Sequence, residues 1–129
     1  MKNLKLWLIF FAVLLFAACR TSPIYNVSGA QVVTGTGKQV SLDEVGRAIT
    51  TAGAALGWQM KTVSPGNIVG TLNLRNHSAV VDVTYDTRSY SINYKDSVNL
   101  KYNGQKIHSN YNGWIQNLDR DIRAQLGKL

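Results

Sequence analysis

The chain has 129 residues, with 14 Lys and Arg against seven Asp and Glu, a formal net charge of +7 and one cysteine, Cys19. This length suits one domain and is too short for two. A single cysteine excludes an internal disulfide, so a hydrophobic core must stabilise the fold without a covalent crosslink.

The first segment, residues 1–18, has the parts of a secretory signal. Lys2 and Lys5 form a positively charged start, and an apolar run without charge follows over residues 6–18. A permanent transmembrane helix needs about 20 apolar residues, so this run is too short to be one. A helix that is apolar on every face is also unsuited to the end of a small domain. We therefore expect residues 1–18 to be a signal peptide that export removes.

The end of this segment, Phe16-Ala17-Ala18-Cys19, resembles the lipobox of bacterial lipoproteins, in which an apolar and two small residues precede an invariant cysteine. Phe16 stands where leucine is usual. The resemblance implies that Cys19 carries a diacylglyceryl thioether and an acylated amine, which would anchor the chain in a membrane. Arg20 replaces the aspartate that retains many such proteins at the inner membrane, which implies the outer membrane, facing the periplasm.

Export would also decide which partners the chain can meet. The part after the signal keeps a net charge of +5, because Lys2 and Lys5 are lost. Lipid headgroups, lipopolysaccharide phosphates and acidic polymers are the anionic neighbours in an envelope. An envelope protein or a glycan is therefore the expected partner besides the membrane, and nucleic acid is not expected.

Residues 19–40 are rich in Ser, Thr, Gly and Asn, and they predict a flexible lipidated tether with a short strand near residues 30–33. The glycine-rich stretch Thr34-Gly35-Thr36-Gly37-Lys38 is not a phosphate-binding loop. Such a loop requires Ser or Thr after the lysine, and Gln39 stands there.

A domain over residues 41–129 follows, and it begins with a helix at about 41–57. Ser41 and Glu44 have the spacing of a capping box, and Gly57 is a natural stop. Apolar residues recur every three or four positions at Leu42, Val45, Ile49, Ala52 and Leu56. Gly46 and Gly53 have no side chains, which favours close packing of this helix onto a sheet.

After Gly57 the apolar period changes to two, with turn residues between the segments. Strands are predicted at about 58–63, 68–75, 79–85 and 89–95. Residues 98–108 form either a hairpin around Asn103-Gly104 or an irregular loop. A second helix is predicted at about 112–126, with an apolar stripe and an Asp119–Arg123 pair. The expected fold class is α+β: an antiparallel meander of three to four strands, packed on one face by an N-terminal and a C-terminal helix.

No catalytic or metal-binding motif stands out in the sequence. His77 and His108 lie 31 positions apart without metal-ligand spacing, the serines have no nucleophile context, and the carboxylates do not converge. We expect no metal and no cofactor. Residues 107–114 combine polar and aromatic side chains at a helix start, so His108, Asn110, Tyr111 and Trp114 are the candidate ligand or partner contacts. Packing of the same aromatic residues in the core is the alternative.

Three functional hypotheses follow. The leading one is a lipid-anchored periplasmic or outer-membrane lipoprotein with a small non-catalytic domain for binding or envelope assembly. The alternative is a cell-wall-directed enzyme or enzyme inhibitor that uses residues 107–114. The third is a mainly structural envelope lipoprotein.

Overall fold

The computed structural model describes residues 20–129. The predicted signal peptide and Cys19 lie outside these residues. The described chain forms seven strands and two helices: β1 Thr21–Pro23, β2 Val27–Gln31, α1 Leu42–Ala55, β3 Gln59–Ser64, β4 Asn67–Leu74, β5 His77–Tyr85, β6 Ser89–Val98, β7 Lys106–His108 and α2 Ser109–Leu126. The predicted α+β class with antiparallel sheets and two helices is confirmed.

The main sheet has five antiparallel strands in the order β2-β6-β5-β4-β3. Strands β3 to β6 form the predicted meander, because each tight turn returns the chain beside the strand it has just left. The predicted count of three to four strands is too low, since β2 adds a fifth strand at the edge next to β6. In the β3–β4 turn, Gly66 has a φ of +81°, and its carbonyl accepts a hydrogen bond of 2.9 Å from the Tyr85 amide. β1 and β7 form a separate two-stranded sheet.

Apolar side chains alternate along the strands of the main sheet, so one of its faces is apolar. Both helices pack on that face. Tyr85 lies against Gly46 of α1, and its register partner Tyr90 bonds to Asp119 of α2. The opposite face has half-exposed and polar positions such as Asp82 and Asn93. The core contains residues from the strands and from both helices, including Ile68, Val81, Val83, Ile92, Val45, Ile49, Ile115, Leu118, Ile122 and Leu126.

α1 begins as the sequence predicts. The Ser41 hydroxyl accepts a hydrogen bond from the Glu44 amide at 3.1 Å, and the Glu44 carboxylate accepts one from the Ser41 amide at 3.3 Å. These two bonds are the predicted capping box. Gly46 and Gly53 are buried, and a Cβ on Gly53 would lie 2.5 Å from the Met60 sulfur. The absence of side chains at these glycines therefore allows α1 to approach the sheet closely.

The predicted tether is corrected by the structure. Residues 20–40 contribute β1, which pairs with β7, and β2, which pairs with β6 at the edge of the main sheet. Val27 and Val40 are buried in the core. The polar composition of this stretch resembles a linker, but Ile24, Ala30 and Val32 also pack against the core, and its backbone completes two sheets.

Residues 98–108 do not form a two-stranded hairpin around Asn103-Gly104, one of the two predicted alternatives. β7 pairs with β1 from the far end of the sequence. Within residues 98–108, the His108 amide donates to the Leu100 carbonyl at 2.8 Å and the Asn103 amide donates to the Lys106 carbonyl at 3.2 Å. α2 begins at Ser109, three residues before the predicted start. The His108 ring caps the helix by accepting a hydrogen bond of 3.1 Å from the Asn110 amide.

Candidate functional site

Arg20, the residue that follows Cys19, is bonded directly to the start of α2. Its carbonyl accepts a hydrogen bond of 3.0 Å from the Ser109 amide and one of 3.3 Å from the Ser109 hydroxyl. The next residue, Thr21, pairs with His108. The chain therefore enters the folded domain immediately after Cys19.

The Asn112 side chain holds this first segment on α2. Its amide oxygen accepts a hydrogen bond of 2.9 Å from the Tyr25 amide. Its amide nitrogen donates to the Pro23 carbonyl at 2.9 Å and to the Ser22 hydroxyl at 3.3 Å. No local sequence pattern points to this role, since the partners lie almost ninety positions away in the chain.

We expect Asn112→Ala to release the N-terminal segment. Losing three hydrogen bonds, two of them to backbone groups, should lower the free energy of unfolding by about 1–3 kcal/mol. Amide exchange at residues 21–25 should become faster than in the rest of the sheet. Asn110→Ala is the matched control, because it makes the same change in helix propensity at an exposed position of α2. Equal effects of the two substitutions would contradict this role of Asn112.

The four candidate contacts of residues 107–114 do not form one exposed site. Tyr111 is fully buried in the core, and Trp114 is half-buried and packs against the core. His108 is half-buried and caps α2, while Asn110 is exposed. Tyr111 is therefore a core residue, and Asn110 is the one fully exposed side chain of the four.

Tyr111 forms a cluster with two other tyrosines, Tyr94 and Tyr102. The ring centroids of Tyr94 and Tyr102 are 4.0 Å apart, and Tyr111 meets Tyr94 edge-on at 5.8 Å. The Tyr94 hydroxyl lies 2.8 Å from the Ser97 hydroxyl. The Tyr111 hydroxyl has no hydrogen-bond partner among the described residues. Burial, with the neighbouring Tyr94 and Tyr102 as smaller causes, raises the pKa of Tyr111 above its usual range.

Tyr111→Phe should leave stability unchanged or raise it at neutral pH, within about 1 kcal/mol, because it removes a buried hydroxyl without a partner. The pKa of Tyr111 is raised on folding, so the neutral phenol favours the folded state. Its contribution to the free energy of unfolding is complete below the ordinary tyrosine pKa of about 10 and declines as the pH rises above that value. Urea unfolding at about pH 7 and about pH 10.5 should therefore show a smaller alkaline loss for Tyr111→Phe than for the wild type. An equal loss in both proteins would contradict burial of the phenol.

His77 and His108 lie near each other although the sequence gives no sign of it. Their ring centroids are 6.5 Å apart, and His77 Nδ1 lies 2.9 Å from the Asn99 carbonyl oxygen. In residues 20–129, no group of three or more His, Cys, Asp or Glu side chains is arranged to hold a metal ion.

The end of the domain that carries Arg20, here called the proximal end, has a mixed surface. The β4–β5 turn and the end of β6 lie there, because Ser78 pairs with Val98. Leu74 and Val98 are 43% and 56% exposed, so two large apolar side chains contribute to the surface of this end. Arg75 and Lys101 are exposed cations at the same end of the sheet.

The opposite end, here called the distal end, carries a cleft. It is formed by the segment after β2 and the β5–β6 turn, and it has a volume of about 440 Å³. Lys38 and Arg88 contribute positive charge to its lining, and Gln31, Thr34 and Thr87 contribute polar groups. The cleft could accept a polar or acidic group of a partner.

Asp119 is the buried carboxylate of the core, and it is bonded to Tyr90 and Arg123.

None of the helices in residues 20–129 has the length and apolar character needed to cross a membrane. Comparison of the chain with protein-family models, with curated proteins and with solved structures finds no match.

Proposed function

We propose that this protein is a lipid-anchored envelope protein whose small domain binds or positions an envelope component without catalysing a reaction. The anchor is a lipid on Cys19, and the membrane is the outer membrane, facing the periplasm. The order apolar, small, small, cysteine at residues 16–19 is the observation that carries the proposal. The anchor would resist extraction, because each buried methylene contributes about 0.8 kcal/mol and two or three chains are attached.

The contacts of Arg20 support this arrangement. A lipid on Cys19 would be one residue away from a backbone that is bonded to Ser109. The domain would then be held at the membrane by its proximal end, and the distal cleft would face away from the lipid. We therefore propose that the distal cleft binds anionic groups of a protein or glycan partner.

The anchor is tested by the intact mass of the protein purified from bacterial membranes, compared with Cys19→Ser. We expect a chain that starts at residue 19 and carries the added mass of acyl chains, and we expect Cys19→Ser to lose both features. A full-length or unmodified wild-type chain would rule out the anchor.

The partner surface is tested by reversing two charges of the distal cleft, Lys38→Glu with Arg88→Glu. Affinity capture from envelope extracts should recover a protein or glycan with the wild type and lose it with this variant. Arg75→Glu with Lys101→Glu is the matched control, because it makes the same change of charge at the proximal end. Equal recovery with both variants would exclude the distal cleft as the binding surface.

A further inference from the structure

We infer that the proximal end of the domain lies directly against anionic lipid headgroups and fixes the orientation of the domain on the membrane. This contact surface consists of Arg20, Leu74, Arg75, Val98 and Lys101. The inference rests on the proposed lipid on Cys19, and it adds a second, non-covalent membrane contact with a defined face of the fold.

Chain connectivity brings this end to the lipid. Consecutive Cα atoms are about 3.8 Å apart, so Arg20 cannot move far from an acylated Cys19. Arg20 cannot move far from α2 either, because Ser109 bonds to its carbonyl through both the amide and the hydroxyl. Thr21 and Ser22 continue the attachment by pairing with β7. A free tether of about twenty residues would let the domain move far from the lipid, whereas this attachment leaves only the link from Cys19 to Arg20 between the lipid and the folded domain.

The proximal surface includes the neighbours of Arg20 in space. Thr21 pairs with His108, whose ring lies 6.5 Å from that of His77. His77 closes the β4–β5 turn against Leu74, and its ring nitrogen contacts the carbonyl of Asn99. Asn99 lies between Val98 and the loop that contains Lys101. The first backbone bonds of the chain therefore place the two sheet ends and this loop next to the anchor.

The chemistry of this surface fits an anionic bilayer. Leu74 and Val98 expose apolar area to water, and Tyr102 is 40% exposed near Lys101. Apolar side chains favour the acyl boundary, tyrosine favours the headgroup level, and Lys and Arg bind lipid phosphates. Each cation close to an anionic leaflet adds to the attraction, which declines within a Debye length.

Asp43, Glu44 and Asp86 lie away from this surface. Asp43 and Glu44 lie in the first turn of α1, whose following turn contacts Tyr85 at the distal end. Asp86 lies in the β5–β6 turn, also at the distal end. Asp96, two positions before Val98, is the acidic residue nearest to the proximal surface along β6. Arg20, Arg75 and Lys101 therefore outnumber Asp96 at the proximal end, and this local excess of positive charge favours contact with an anionic membrane.

The experiment measures which end of the protein approaches the lipid. The full chain is expressed in bacteria, purified in detergent and reconstituted into vesicles of phosphatidylcholine with about 30% phosphatidylglycerol. A fluorophore is attached to Leu74→Cys or, as a second proximal site, Val98→Cys. Val33→Cys is the matched distal control, because Val33 is 65% exposed and lies beside the end of α2. An acylated Cys19 has no free thiol to compete for the label.

Quenching by a headgroup spin-labelled lipid should be at least about threefold stronger at positions 74 and 98 than at position 33. Acrylamide, which quenches from the water, should quench more strongly at position 33 than at positions 74 and 98. Arg75→Glu with Lys101→Glu should bring the ratio of lipid quenching between the two ends towards one, and so should about 1 M salt. Lys38→Glu with Arg88→Glu should leave the ratio unchanged.

The outcomes separate the two proposals. If intact mass shows no acyl chains on Cys19 in this preparation, the anchor and the orientation are both wrong. If Cys19 is acylated but lipid and acrylamide quench all three positions equally, the anchor stands and the orientation is overturned. If the ratio is the same in vesicles of phosphatidylcholine alone, the cations do not contribute, and the inferred recognition of anionic headgroups is wrong.

Discussion

Leu118→Ala should lower the free energy of unfolding by about 3–5 kcal/mol, the largest effect that we expect from a single substitution. Leu118 has no exposed surface and lies in the buried stripe of α2 with Ile115 and Ile122. This stripe packs against α1 and the sheet, so Leu118→Ala would leave a cavity where side chains of α1, α2 and the sheet meet. The loss is a large part of the total stability of a small domain, which is about 5–15 kcal/mol.

Leu74→Ala is the control of the same residue type, because 43% of the Leu74 surface is exposed. We expect a loss below about 1 kcal/mol there. Urea unfolding of the two variants, with equal m-values, makes the comparison. A Leu118→Ala loss as small as that of Leu74→Ala would mean that α2 does not pack on the core as described.

Asp119→Ala should lower the free energy of unfolding by about 2–3 kcal/mol, because it leaves a buried hydroxyl without a partner. The Tyr90 hydroxyl donates a hydrogen bond of 2.5 Å to Asp119 Oδ1, and Tyr90 is 1% exposed. Burial, and then the bond to Asp119, raises the pKa of Tyr90 above its usual range, so tyrosine remains the neutral donor of this pair. The contact of Asp119 with Arg123, at 3.2 Å, adds less because Arg123 is largely exposed.

A double-mutant cycle with Tyr90→Phe isolates this contact. The two single substitutions should not be additive, with a coupling of about 1–2 kcal/mol, since each removes the same hydrogen bond. Asp119→Asn should cost less than Asp119→Ala because it retains an oxygen that accepts from Tyr90. Additive effects of Tyr90→Phe and Asp119→Ala would show that the bond contributes little. The Tyr111→Phe variant provides a contrast, because it removes a buried hydroxyl that has no partner among the described residues.

The sequence predicts the regular elements of this fold well where local patterns are strong. The capping box at Ser41 and Glu44 and the apolar stripe of α1 locate the first helix within two residues at each end. Period-two patterns locate four strands of the main sheet, since one face is buried and the other is not. Asp119 and Arg123 form the predicted pair, because positions i and i+4 of a helix are neighbours.

The N-terminal segment and the candidate site depend on long-range contacts, and the sequence does not predict them. Asn112 has no local signal, because its partners Ser22, Pro23 and Tyr25 come close only in the folded chain. The stripe Trp114, Ile115, Leu118 indicates a helix but does not reveal that His108 caps it. Tyr111 suits both a ligand contact and the core, and only packing against Tyr94 places it in the core.

The sequence alone determined the fold class, the two helices, the meander and the resemblance of residues 16–19 to a lipobox, because each depends on residues that are close in the chain. The tertiary structure decided how residues 20–40 are attached to the rest of the domain. Residues 20–40 have the composition of a linker, yet the hydrogen bonds of Arg20, Asn112 and β7 fix their first residues to the domain. The physical reason is that backbone groups of a polar segment can complete a sheet edge as readily as those of an apolar one, and composition does not indicate which edge is free.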